Sequence, residues 1–131
     1  MVPYRNEYHG RVQEGFDSSF NALNIDYIDL YLMHWPQANV PGNPMIALSA
    51  EESPTFVETW KEMEKLLSTG KVRAIGVSNF AIPHLEKLLK ETSVVPVTNQ
   101  VQAHVCLPQE ELQRWCEERG ITITAYSPFG T

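Results

Sequence analysis

The chain has 131 residues, 43% of them apolar and 20% charged, and a formal net charge of −6. This is the balance of a globular chain with enough apolar mass for one core, and an acidic excess without basic runs argues against nucleic acid or an anionic membrane as partner. No apolar stretch nears the ~18–20 residues of a membrane span, and the opening "MVPYRNEYHGRV" lacks a signal peptide's apolar segment. Two cysteines, Cys106 and Cys116, with no CxxC pair, suit reduced core thiols in a cytoplasmic protein better than a disulfide or a zinc site.

Residues 10–23 read as a helix, because Val12, Phe16, Phe20 and Leu23 recur at helical spacing. "NIDYIDLYLMHW" follows as a mostly apolar strand. "PQANVPGNPMIALSAEESP" has four prolines, one glycine and no steady period, so it is a long loop, the kind of segment that often forms a lid. The next helix has a clear start: Thr55 with Glu58 three residues on makes a capping box. Val57, Trp60, Met63, Leu66 and Leu67 form its apolar face, and Gly70 suits a left-handed stop. "KVRAIGVSNF" is a strand, and "IPHLEKLLKE" a helix that buries Leu85, Leu88 and Leu89. "VPVTNQVQAHV" is again a strand. "LPQEELQRWCEERG" is a helix with Pro108 near its first turn, Leu112, Trp115 and Cys116 inward, and Gly120 closing it. "ITITAYSPFG" is a last strand and turn.

Strands alternating with helices imply a parallel sheet with right-handed crossovers. Strand ends fall near Met33, Val77, Gln102 and Tyr126, and the last two intervals are about 25 residues, the size of one strand–helix unit. Near-continuous apolar strands imply that both faces are covered. A doubly wound sheet and part of a (β/α)₈ barrel both satisfy these features.

In either architecture ligands gather at the carboxyl ends of the strands. Those ends carry His34-Trp35, Ser78-Asn79, Gln100 to His104, and Tyr126-Ser127. By itself, His34 is either a satisfied core histidine or a proton donor lining a pocket. The plain structural readings are a helix cap for Asn79 and core aromatics for Trp35 and Tyr126. His104 reads as structural, His9 and His84 as surface residues, and Asp26 and Asp29 as local hydrogen-bonding groups. GxGxxG, P-loop, HExxH and GxSxG motifs are all absent.

"DYIDLYLMHWP", "GKVRAIGVSNF", "NQVQAH" and "ITAYSPFG", in this order and spacing, closely resemble the aldo-keto reductases, nicotinamide-dependent carbonyl reductases built on a (β/α)₈ barrel. The resemblance covers essentially all of residues 1–131 as a single partial barrel domain. It implies an α/β fold of about half a TIM barrel, strands four to seven. It assigns His34 as the catalytic imidazole that hydrogen-bonds the substrate carbonyl, with Trp35 as the substrate-pocket wall. Ser78, Asn79 and Gln100 match the residues that grip the nicotinamide carboxamide. Tyr126 matches the ring stacked on the nicotinamide, and Ser127, Phe129 and Gly130 begin the pyrophosphate loop. The implied cofactor is NADP, the implied substrate a small carbonyl compound, and no metal is implied.

The family's other catalytic groups, an Asp, a Tyr and a Lys, lie on earlier strands, and its adenosine 2′-phosphate segment lies beyond strand seven. Tyr4 and Tyr8 precede a helix and do not substitute for the acid Tyr. Smaller departures are Gln102, where the family usually has Glu, and Val105, where Pro commonly follows the histidine. The expectation is a fragment of an NADP-dependent reductase of aldehydes and ketones, inactive in isolation. Its parent would be a monomer. The fragment itself is expected to be insoluble, molten or self-associated, because barrel-facing residues such as Ile28 and Val77 would lose their partners and the outer strands would become open edges. The rival expectations are a non-catalytic nucleotide-binding or regulatory protein on the same fold, and a metal-dependent barrel hydrolase using His34 and His104.

Overall fold

Among the described residues four parallel strands lie side by side in chain order, β1 (Ile28–Met33), β2 (Val72–Ser78), β3 (Thr98–Gln102) and β4 (Thr122–Tyr126). Helix α1 (Val12–Leu23) precedes them, and α2 (Phe56–Leu67), α3 (Ile82–Glu91) and α4 (Glu110–Glu117) connect them. The computed structural model describes residues 11–37 and 52–130. The expectations for Tyr4, Tyr8, His9 and most of the 37–54 loop lie outside the described residues.

Each helix forms where its sequence asks for one. Thr55 Oγ1 accepts from the Glu58 N–H at 3.2 Å, and the Glu58 carboxylate accepts from the Thr55 N–H at 2.7 Å, which completes the capping box of α2. Gly70, with φ +73, makes the left-handed turn that leads into β2. Two expected details differ. Leu23 is 59% exposed, because α1 ends there, at Asn24 in a left-handed cap. Helix α4 begins only at Glu110, after Gln109 at φ 56, so Pro108 stands outside the helix.

The core lies between the sheet and its helices. Trp60, Met63 and Leu66 of α2, Leu85 and Leu88 of α3, and Cys116 of α4 meet Tyr31, Met33, Ile75, Val77 and Val101 of the sheet, all buried. Each large apolar side chain sunk here contributes about 1.5–3 kcal/mol. Trp60 is fully buried, and its indole N–H is satisfied by the Val94 carbonyl at 3.1 Å.

Strand alternation sends the intervening residues to the opposite face. The register pairs Leu32 with Gly76, Ser78 with Gln100, Gln100 with Thr124, and Gln102 with Tyr126. This second face is largely polar. Thr98 Oγ1 bonds both the Thr122 carbonyl and Thr124 Oγ1 at 2.8 Å. Val77 belongs to the helix side and is wholly buried, so it is not among the residues that need a partner across a barrel interior. Gly76 faces the polar side, where an added Cβ would stand 2.7 Å from Leu32 Cδ2 and 2.9 Å from the Thr98 carbonyl oxygen. Only glycine fits that approach. Among the described residues no helix is long and apolar enough to cross a membrane.

Candidate active site at the strand ends

The ends of β1, β2, β3 and β4 bring His34, Ser78-Asn79, Gln100 and Tyr126 to one edge of the sheet. Met33 faces the core, so alternation turns His34 toward the polar face. His34 is half-buried, and its ring centroid lies 5.9 Å from that of Trp35. Burial is the main reason its pKa lies below the ordinary histidine value, which favours the neutral ring near pH 7.

Asn79 ends β2 in a left-handed conformation, φ 63. Asparagine tolerates this region better than most residues, though it still costs about 1–2 kcal/mol. The turn aims the side chain along the strand ends instead of into the next helix, so Asn79 does not cap α3. That position belongs to Ala81, which has no side-chain acceptor. Half of a reciprocal cap is made from the other side, by His84 Nδ1 accepting from the Ala81 N–H at 3.2 Å.

Three hydrogen bonds hold the Asn79 amide. Its Nδ2 donates to the His34 carbonyl at 3.0 Å and to Ser78 Oγ at 3.2 Å, and its Oδ1 accepts from the Tyr126 hydroxyl at 2.8 Å. The His34 carbonyl can only accept, so the amide orientation is not arbitrary. Ser78 Oγ donates to the Gln100 carbonyl at 2.7 Å, and the Asn79 N–H donates to the same oxygen at 3.0 Å. Ser78 is buried, whereas Asn79, Gln100 and Tyr126 are partly open. Among the described residues, one acceptor lone pair on Ser78 Oγ and one on Asn79 Oδ1 stay unused. The Gln100 side chain makes no hydrogen bond among the described residues. A primary amide has two N–H donors and one carbonyl acceptor, which this set complements.

Beside these groups lies a cavity of about 310 Å³ that touches Trp35, Asn79, Tyr126, Gln102, Leu107 and Gln109. After Tyr126 the chain turns sharply. Ser127 has φ 48, Gly130 has φ 82, and the Gly130 N–H returns to the Ser127 carbonyl at 2.9 Å. Phe129 stands fully exposed on that turn.

Other residues refine the sequence expectations. His84 is no plain surface group: it packs edge-on against Phe56 and Phe80, caps α3, and has a pKa lowered by burial. Asp29 pairs with Arg73, 44 residues away, at 3.0 Å, so its bond is not local. His104 is half-buried, with its ring 3.3 Å from the Gln102 amide. No group of three or more His, Cys, Asp or Glu side chains able to hold a metal occurs among the described residues. Both cysteines are free, Cys106 exposed and Cys116 buried. The residue that sequence reasoning passed over is Asn99, completely buried beside Gln100. Its signal was there to read: asparagine is disfavoured in strands, yet Asn99 stands inside one, directly before Gln100.

This arrangement matches a known class. The family model for the aldo/keto reductase family fits residues 3–131. The chain is 42% identical over 132 residues to a D-galacturonate reductase of Hypocrea jecorina, covering 95% of this chain and 43% of that protein. It is 40% identical to the aldehyde reductase YPR1 of Saccharomyces cerevisiae, covering 91% and 43%. Among solved structures, a Bombyx mori aldo-keto reductase in complex with NADP superposes with a TM-score of 0.85 at 32% identity, covering 95% of this chain and 38% of that one. An aldo/keto reductase from Brucella melitensis superposes with a TM-score of 0.80 at 37% identity, covering 96% and 44%. The chain belongs to the aldo/keto reductase family, and its four strands form part of that family's barrel. It spans about four tenths of the length of the curated relatives it matches.

Proposed function

We propose that this chain supplies the strand-four to strand-seven part of a cytoplasmic NADP-dependent reductase that converts aldehydes or ketones to alcohols. The observation that carries this reading is the hydrogen-bonded set at the strand ends, in which His34, Ser78, Asn79 and Tyr126 are tied into one network beside an open Gln100 amide.

The donor set suits a nicotinamide. Ser78 Oγ and Asn79 Oδ1 each keep one lone pair for the carboxamide N–H groups, and Gln100 has a free amide to donate to the carboxamide oxygen. Each such bond contributes only ~1 kcal/mol net. Their main effect is orientation, since transfer needs the reacting atoms within ~3–3.5 Å. The Tyr126 ring, held by its own hydroxyl, is the flat surface against which the nicotinamide would stack. Ser127, Phe129 and Gly130 present an exposed turn for the pyrophosphate. When bound, NADPH supplies the hydride.

His34 acts on the substrate. Its neutral imidazole donates a hydrogen bond to the carbonyl oxygen, which orients the carbonyl and stabilises the negative charge that develops there. Trp35 beside it restricts where the rest of the substrate can lie. The family resemblance places the acid Tyr and its Asp and Lys partners on other strands, so the proposal gives these 131 residues binding and orientation rather than the proton delivered to the product. Titration of the chain with NADPH, followed by nicotinamide fluorescence, tests the binding half of the proposal. A saturable signal that Asn79→Ala weakens supports it, and no signal with intact folded protein counts against it.

A further inference from the structure

We propose that Asn99 is a positioning residue, which holds the Ser78–Phe80 turn in shape from the core side so that Ser78 and Asn79 present their side chains at the strand ends. Asn99 is completely buried. Its side chain makes a reciprocal pair with the backbone of Phe80: Nδ2 donates to the Phe80 carbonyl at 2.8 Å, and Oδ1 accepts from the Phe80 N–H at 3.3 Å.

Strand register explains why this position has that reach. Asn99 is paired with Val77 and faces the helices, while Gln100 is paired with Ser78 and faces the polar side. The turn after β2 is therefore fastened on both faces. On the polar face the Gln100 carbonyl accepts from Ser78 Oγ and from the Asn79 N–H. On the core face the Asn99 amide satisfies both backbone groups of Phe80. Between the two fastenings sits Asn79 at φ 63, a conformation the chain leaves readily unless its neighbours fix it. Phe80 is itself anchored, buried edge-on against Phe56 at 5.5 Å. Asn99 thus joins β3 to the turn that carries two of the proposed nicotinamide contacts. No apolar residue of similar volume can replace it, because the Phe80 N–H and carbonyl would be left buried without partners.

The conformational claim stands by itself, and its consequence for binding rests on the proposed nicotinamide role of Ser78 and Asn79. The test compares Asn99→Leu with Met63→Ala in the ¹⁵N-labelled 131-residue chain. Met63 is a buried residue of α2, two helical turns beyond the Phe56 that packs on Phe80, so its variant controls for lost stability. Expected in Asn99→Leu are Phe80 amide exchange and an NADPH dissociation constant each raised about tenfold or more, with the Asn79 carboxamide resonances shifted toward those of a free amide. Met63→Ala, at equal or greater loss of melting temperature, should leave the Asn79 resonances and the NADPH affinity unchanged. Should Asn99→Leu not fold, Asn99→Asp, which keeps the acceptor and loses the donor, must show the same changes in smaller measure. Unchanged Asn79 resonances in the Asn99 variants, or equal changes in Met63→Ala, would overturn the proposal. A parent chain that fails to bind NADPH while the Phe80 and Asn79 signals respond as described would uphold the positioning role and reject the nicotinamide assignment.

Discussion

The Tyr126 hydroxyl donates to Asn79 Oδ1 at 2.8 Å, tying the end of β4 to the end of β2 across 47 residues of sequence. One bond thereby fixes two things, the plane of the Tyr126 ring and the last rotational freedom of the Asn79 amide. Removing the hydroxyl and removing the ring should have separable effects. Tyr126→Phe keeps the stacking surface and loses the tether, and is expected to weaken NADPH binding by only ~0.5–1.5 kcal/mol, the scale of one hydrogen bond. Tyr126→Ala should lose ~1–3 kcal/mol, taking aromatic–base stacking as the guide. Fluorescence titration of both variants checks the order, and equal affinity in Tyr126→Ala and the parent would remove the ring from the cofactor site.

Gly76→Ala places a methyl group against Leu32 and the β3 backbone. The Leu32 side chain can shift, but the Thr98 carbonyl, 2.9 Å from the new Cβ, belongs to the sheet and cannot do so freely. Overpacking of this kind costs about 1–3 kcal/mol, so the melting temperature should fall by several degrees. An unchanged melt would mean that β2 and β3 are not held at this spacing.

Stability should decline in mild acid. The pKa values of His84 and His34 both lie below the ordinary 6.5, chiefly through burial. His84 also accepts a hydrogen bond at Nδ1, which only the neutral ring can do. As pH falls through 6.5 the unfolded chain takes up protons that the folded chain refuses, so folding stability is lost, and the loss levels off once pH passes below the folded values. Melts at pH 7.5 and pH 5.5 should show the lower temperature at pH 5.5, with a smaller difference in His84→Gln. A flat profile would contradict the neutral cap.

The strand–helix order could be read from the sequence because two periodicities and a few stops were unambiguous. Examples are the Thr55–Glu58 box, the leucines of "IPHLEKLLKE", and Gly70 before β2. The residues at the strand ends could be located for the same reason. Their connections could not, because they depend on register between strands. Nothing in "SNF" and "NQ" says that Asn99 will reach Phe80 while Gln100 takes Ser78, or that Val77 will face the helices. Asp29 with Arg73 was hidden in the same way, since the pairing appears only after the strands dock.

The outer strands govern the physical state of the chain. In the described sheet β1 and β4 each pair on one side only, which leaves a row of backbone donors and acceptors for another chain. Of the expected insoluble, molten or self-associated states, the polar second face favours the last, since Ser78 bonds the Gln100 carbonyl and Thr98 bonds Thr124 and the Thr122 carbonyl. Purified chain is therefore expected to be folded but self-associated. Analytical ultracentrifugation checks this, and a monodisperse monomer at ~10–100 µM with a sharp melt typical of stable domains would refute it.

Isolated chain should not reduce aldehydes, because His34 is the only one of the four resemblance-implied catalytic groups on these strands. NADPH oxidation with a simple aromatic aldehyde should not exceed a control without protein. Steady turnover abolished by His34→Ala would show that this chain carries the whole reaction.

The most direct test of the central claim is to let residues 12–130 replace the matching segment of the yeast aldehyde reductase, with the rest of that protein kept, and to measure kcat/KM with and without His34→Ala. The account predicts an active chimera in which His34→Ala lowers kcat/KM by ~10²-fold or more while the NADPH dissociation constant changes less than ~3-fold. An active chimera whose kcat/KM is indifferent to His34→Ala would contradict it.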